Sequence, residues 1–231
     1  MRKKIIAITI AFVMIFAIGI MAGCDNNPCS EGSSAADRAR MLSAFELLEE
    51  SDSFTSTMHL IAYENGVLIS EQTTIMKYQR QNGNMVAQGH AIINETITQY
   101  IWMIDGHMYV WSVAQSSGIR LDFENVLNQN TDMGVRGLTV EYIEQLGIFE
   151  LIVKNVDYNR ITFSFKHSTG TATSYYEITV EESNNLLLRA KVTVHMRSSN
   201  NIIKSIGTMT YDYTPVTVVL PDNRDEFIRG G

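Results

Sequence analysis

Across 231 residues the chain is 45% hydrophobic and 19% charged, with 18 basic and 25 acidic side chains. That is a folding composition with length for a sizeable core, and an acidic balance without an aromatic-laced basic patch argues against nucleic acid as a partner. The two cysteines, Cys24 and Cys29, stand ahead of the folded body, which therefore has no disulfide framework and no thiolate metal site.

Met1 is followed by Arg2, Lys3 and Lys4, then by 19 uncharged residues, 5–23, and then by Cys24. A basic start, an apolar run and small residues before a cut make a secretory signal. The segment Met21-Ala22-Gly23-Cys24 resembles a lipobox, where bacterial lipoproteins are cleaved and acylated, with chains such as palmitate, on cysteine. The resemblance implies a signal peptide at 1–23, lipidation at Cys24, and a mature protein tied to the extracytoplasmic face of the cell membrane. Two or more acyl chains hold such an anchor, at about 0.8 kcal/mol per buried CH₂. An uncleaved transmembrane helix competes with this reading, because 19 residues approach the ~20 that span a bilayer core. Both readings export the rest of the chain. Cleavage removes three basic residues and no acidic one, leaving 15 against 25 and a net charge of −10. Residues 24–34 carry Cys24 and the small, polar stretch DNNPCSEGSS, a flexible tether in which an incidental linker cysteine is the plainer reading of Cys29 and a redox or attachment site the other.

Residues 35–231 then read as one domain. From Ala35 to Glu50 the spacing predicts a helix: Ser34 and Asp37 make a capping-box-like start, and Met41, Phe45 and Leu48 fall at i, i+4 and i+7. Leu42, Ala44 and Leu47 widen the stripe, and Glu46, Glu49 and Glu50 take the opposite face.

Strand-like runs follow at Phe54–Tyr63, Val67–Tyr78, Met85–Glu95, Ile97–Ile104 and Met108–Ala114, with Ile119–Phe123 as an extension. Asn65-Gly66, Asn82-Gly83 and Asp105-Gly106 supply the positive φ of tight hairpin turns. Within 124–148 a short helix is predicted at 139–146, capped by Thr139 and ended by Gly147. A second β block runs through Phe149–Tyr158, Arg160–His167, Ser174–Glu182, Leu187–Arg197, Ile202–Tyr213 and Val216–Leu220, with turns at Asn184-Asn185 and Asn200-Asn201. The fold class is mainly β, about ten or eleven antiparallel strands with two helices. A sheet that large twists, curls and nearly closes. Several strands are apolar on both sides of the pleat: Tyr100, Trp102 and Ile104 alternate with Ile101 and Met103, and Tyr109 and Trp111 with Met108 and Val110. Helices or a ligand must therefore cover the second face.

This layout resembles the LolA/LolB-like superfamily of lipoprotein carriers and their lipoprotein relatives over residues 35–221. The leading helix Ala44-Phe45-Glu46-Leu47-Leu48 runs through Ser51-Asp52-Ser53-Phe54 into the first strand. Ile104-Asp105-Gly106-His107-Met108-Tyr109-Val110 resembles the family's central hairpin, and Tyr211-Asp212-Tyr213-Thr214-Pro215 through Pro221 its closing segment. The resemblance implies a curved, incompletely closed antiparallel barrel with helices lidding an apolar cavity.

The candidate ligand-binding set is Met58, Met76, Met85, Met103 and Met108 with Tyr100, Trp102, Tyr109 and Trp111. Flexible, polarizable methionines suit an adaptable lipid pocket, and ordinary core filling is the plainer role for any one of them. His59, His90, His107, His167 and His195 have no metal-ligand spacing and read as structural or surface residues. No catalytic or cofactor fingerprint is present, and nothing places a substrate by the Asp122 and Glu124 pair. The expectation is a membrane-anchored lipoprotein without enzymatic activity or cofactor that binds a lipid or acylated molecule. The alternative is a ligand-free interaction or sensor module with a filled core, meeting an envelope protein through its acidic surface or an edge strand.

Overall fold

The computed structural model describes residues 35–122, 150–169, 172–198, 201–222, 224 and 227–229. Helix α1 spans Ala35–Glu50 as its spacing predicts. Met41, Ala44, Phe45 and Leu48 are buried, while Glu46, Glu49 and Glu50 face solvent. Ser51 ends the helix by donating its hydroxyl to the Leu47 carbonyl at 2.8 Å. The Ser34 cap, the helix predicted at 139–146 and the tether with Cys24 and Cys29 lie outside the described residues.

The strands are β1 (Ser53–Glu64), β2 (Val67–Gln81), β3 (Asn84–Ile93), β4 (Thr96–Ile104), β5 (His107–Ser112), β6 (Ser117–Asp122), β7 (Glu150–Asp157), β8 (Arg160–Thr169), β9 (Ala172–Glu181), β10 (Leu187–Ser198), β11 (Asn201–Asp212) and β12 (Ile228–Arg229). They form one sheet in the order β12-β6-β5-β4-β3-β2-β1-β11-β10-β9-β8-β7. Eleven strands pair antiparallel, and the sheet is curved and does not close, leaving β7 and β12 as its edges. The hairpins form where positive φ is cheap: Asn65 and Gly66 at 52° and 83°, Asn82 and Gly83 at 53° and 86°, Asp105 and Gly106 at 49° and 75°. Met85–Glu95 is not all strand. β3 ends at Ile93, and Asn94 and Glu95 make a fourth such turn, with φ of 50° and 62°.

Residues opposite one another in register share a face, so the face that packs on α1 can be followed across the sheet. One row runs Phe163, Ile178, Ala190, Met209, Met58, Thr74, Ala91, Gln99 and Ser112. A neighbouring row runs Tyr211, Ser56, Met76, Gly89, Ile101, Val110 and Ile119. A third runs Phe54, Tyr78, Ala87, Met103, Met108 and Leu121. This is the inner face, and α1 joins it in a single hydrophobic cluster with Phe163, Phe165, Ile178, Val180 and Leu187. The helix crosses one end of the sheet. Arg40 donates Nε to Asn185 Oδ1 at 3.2 Å and Nη2 to the Glu182 carbonyl, while Asn185 Nδ2 donates to the Arg40 carbonyl at 2.9 Å. At its other terminus Arg80 Nη2 donates to the Glu49 carbonyl at 2.7 Å.

The segment Val216–Leu220 departs from expectation, since it joins no strand ladder. Its partners are side-chain amides from the opposite, outer face. Val218 N–H donates to Gln79 Oε1 at 2.9 Å, Val219 N–H to Gln88 Oε1 at 3.0 Å, and Gln81 Nε2 to the Val218 carbonyl at 3.2 Å. Glutamines thus satisfy the backbone that a neighbouring strand would otherwise pair. The last described strand is β12, which bridges β6 in parallel.

Around the foot of β1, Phe54 stacks on Tyr78 at 4.6 Å and meets Tyr211 and Tyr213 at 6.3 and 6.4 Å. Burial pushes the Tyr78 phenol far above its ordinary value, against a smaller pull from the Ser56 hydrogen bond. Burial also raises Tyr211, helped by the neighbouring Tyr78 and Tyr213 phenols, and it takes Tyr213 to about 12. A raised phenol keeps its proton longer folded than unfolded, so its stabilisation is whole below the ordinary value of 10.0 and is lost as pH climbs above it. The expected result is steep alkaline unfolding, in which these three of the chain's 10 tyrosines ionise only as the fold is lost. Tyrosinate absorbance recorded alongside circular dichroism checks it; early, independent ionisation of all ten would contradict it.

Candidate apolar binding face

The inner face has two unlike halves. Beneath α1 it is filled: Phe163 and Phe165 are 1% and 2% exposed, and Phe165 stacks on Tyr176 at 4.8 Å. Toward β4, β5 and β6 the rows continue as Ile101, Met103, Met108, Val110 and Leu121, apolar yet only half-buried, and end at Ile119, which is 42% exposed. The floor between the halves is low. Ala87, Gly89 and Ala91 line β3, and a Cβ on Gly89 would meet Met76 Sδ at 2.4 Å and the Ile75 carbonyl at 2.1 Å. Glycine is what lets the Met76 thioether lie across that strand.

Hydroxyls punctuate this surface. Ser56, Thr74, Ser174 and Ser205 are buried on it. Ser56 hydrogen-bonds Tyr78, and Thr74 Oγ1 accepts from Gln72 Nε2 at 3.1 Å. Ser205 Oγ, opposite Ala62 and Val194, has no partner among the described residues. A buried hydroxyl left in that state costs about 1–3 kcal/mol.

The methionines expected from sequence do share one face. Met103 and Met108 are directly opposite each other, Met58 lies between Met209 and Thr74, Met76 is 7% exposed, and Met85 packs on the core cluster. The aromatic quartet is elsewhere. Tyr100, Trp102, Tyr109 and Trp111 pair among themselves on the outer face, with Tyr100 opposite Trp111 and Trp102 opposite Tyr109. Leu220 and Phe227 of the C-terminal segment pack on this aromatic group. The chain's own tail therefore covers Trp102, Tyr109 and Trp111 on this face, while Tyr100 stays 40% exposed. Ile101, Val110, Met196 and Met209 belong with the methionines, and strand parity with Met103 and Met108 was the signal that could have found the first two.

Three of the histidines make ordinary contacts. His59 Nε2 lies 2.9 Å from Glu71 Oε1, His107 Nδ1 lies 2.8 Å from the Asp105 carbonyl, and His195 meets the Tyr175 ring edge-on at 5.8 Å. Among the described residues no three His, Cys, Asp or Glu side chains could hold a metal ion, and no helix is long and apolar enough to cross a membrane.

No protein-family model matches the chain, and no curated protein matches its sequence. Solved structures do. The chain is similar to the Mycobacterium tuberculosis lipoprotein LppX at 11% identity and a TM-score of 0.47, over 81% of this chain and 100% of that one. It is similar to a DUF1329 family protein from Desulfovibrio piger at 10% identity and a TM-score of 0.37, over 81% of this chain and 95% of that one. It is also similar to a LolA superfamily protein from Nitrosomonas europaea, at 14% identity, a TM-score of 0.29, and 80% and 95% coverage.

Proposed function

We propose that this chain is a membrane-anchored, extracytoplasmic bacterial lipoprotein that binds a lipid or acylated molecule on the inner face of its curved sheet. Signal peptide 1–23 is removed, Cys24 is lipidated, and residues 24–34 tether the domain 35–231. The observation that carries the reading is the unequal inner face: α1 fills one half, and Ile101, Met103, Met108, Val110 and Leu121 stay half-buried on the other. Binding works by desolvation, at about 25 cal/mol per Å² of apolar surface removed from water, and methionines adapt their rotamers to chains of different shape. The chemistry is that of a binding protein, with no bond made or broken. Ten tether residues, 25–34, reach about 35 Å at most, so ligand comes from the adjacent membrane.

Mass spectrometry of an organic extract from purified residues 35–231 tests the function. A stoichiometric lipid is expected; a blank that persists after exposure to membrane lipid would favour the ligand-free envelope module. Cys24→Ser tests the anchor. It should abolish incorporation of labelled palmitate and the acyl mass increment; undiminished labelling would refute lipidation at Cys24.

A further inference from the structure

On the outer face, β4, β5 and β6 present two adjacent rows. Trp102, Tyr109 and Arg120 stand opposite one another in the first, and Tyr100, Trp111 and Gly118 in the second. Phe227 enters this cradle edge-on, with ring centroids 6.2 Å from Trp102, 5.3 Å from Tyr109 and 5.9 Å from Trp111, at interplanar angles of 82°, 90° and 68°. Gly118 makes the room, since a Cβ there would come within 2.4 Å of the Phe227 ring. Ile228 and Arg229 then lie parallel along Ile119 and Arg120, extending the sheet by two residues. An aromatic anchor beside a strand added to an open edge is the geometry by which sheets capture extended peptides.

The described residues of the resident segment leave two donors of the cradle unmet. Trp102 Nε1 and Arg120 Nε are both buried in this cradle, and neither has a hydrogen-bond partner among the described residues. Both are donors, and one belongs to a permanent cation, so the acceptor missing among the described residues of the cradle is an anionic one. We propose that this cradle recognises an extended segment of a second protein carrying a carboxylate beside an aromatic side chain, and that residues 227–229 occupy it in the free chain. The incoming ring replaces Phe227, its backbone replaces β12 along β6, and its carboxylate accepts from Trp102 Nε1–H and Arg120 Nε–H. The resident segment competes through its high effective concentration, because it is part of the same chain. The site lies on the face opposite the inner-face methionines, so it stands or falls independently of ligand binding there.

Both of the chain's 2 tryptophans are in the cradle, so tryptophan emission, excited selectively over the 10 tyrosines, reads this site. The probes are N-acetylphenylalanine and its carboxamide, added to the full chain with and without Phe227→Ala. The variant should emit to the red of the parent, and N-acetylphenylalanine should reverse the shift saturably. It should bind the variant at least tenfold more tightly than the parent, and at least tenfold more tightly than the carboxamide binds. Adding Arg120→Gln should erase the preference for the acid, and adding Gly118→Ala should abolish binding by filling the ring's place. Equal binding of acid and amide, or no reversal of the shift, would overturn the proposal. A measurement on the unsubstituted chain stands apart from the folding of any variant. Saturating N-acetylphenylalanine must speed amide exchange across the bridge between Ile119–Arg120 and Ile228–Arg229, and unchanged exchange would refute displacement.

Discussion

Replacing Met103 and Met108 together by glutamate should strip the domain of co-purifying lipid by at least tenfold while leaving it folded. The two side chains are directly opposite across β4 and β5, both half-buried on the inner face. Partial exposure lets each carboxylate stay hydrated, so the fold tolerates the change. An acyl chain laid over them does not, because it must bury two like charges or be left uncovered; a penalty of 1.4 kcal/mol already means a tenfold loss. Tyr175→Ala is the matched control, since Tyr175 is 41% exposed on the outer face of β9. The readout is lipid per protein by mass spectrometry, with circular dichroism as the check on folding. Lipid retained at the parental level in the double variant would remove the β4–β6 half of the inner face from the binding site.

Phe163→Ala should destabilise the domain by about 3–5 kcal/mol, the range for deleting a fully buried phenylalanine. Phe163 is 1% exposed, stands opposite Ile178, and belongs to the cluster that α1 completes. Its removal therefore costs the transfer energy of the ring and opens a cavity that the rigid sheet cannot close. Against a total stability of about 5–15 kcal/mol, that loss lowers the melting temperature by roughly 6–20 °C in a domain of this size. Val156→Ala, at a side chain 53% exposed, should stay within about 0.5 kcal/mol. Thermal denaturation of the three proteins measures both effects. A Phe163→Ala melting point within 2 °C of the parent, on the order of the shift from less than 1 kcal/mol, would mean that the helix-side core is not packed as described.

Much of this architecture was legible residue by residue. The amphipathic spacing of Met41, Phe45 and Leu48 located α1, and Asn-Gly and Asp-Gly pairs located three hairpins, because both signals are local and have a local physical cause. Asn94-Glu95 escaped notice because glutamate rarely accepts positive φ, and the tertiary pairing of β3 with β4 imposes it there. The candidate site was half legible. Met103 and Trp102 are adjacent in a strand, so their side chains must point to opposite faces, and one binding surface cannot hold both. Val216–Leu220 has the β-branched texture of a strand, but texture cannot specify a neighbour, and the neighbours here are the side chains of Gln79, Gln81 and Gln88.

The sequence by itself determined the local elements of the described fold: the helix at 35–50 and a long run of antiparallel hairpins apolar on both sides. These follow from period, turn chemistry and hydropathy, each confined to a few neighbouring residues. Only the tertiary structure decided what covers each face. That α1 closes half of the inner face, and that Leu220 and Phe227 return to cover the outer aromatics, depends on contacts between residues more than a hundred positions apart. Such contacts form because buried area is gained wherever two apolar surfaces fit, and the fit is a property of the assembled sheet that no local pattern encodes.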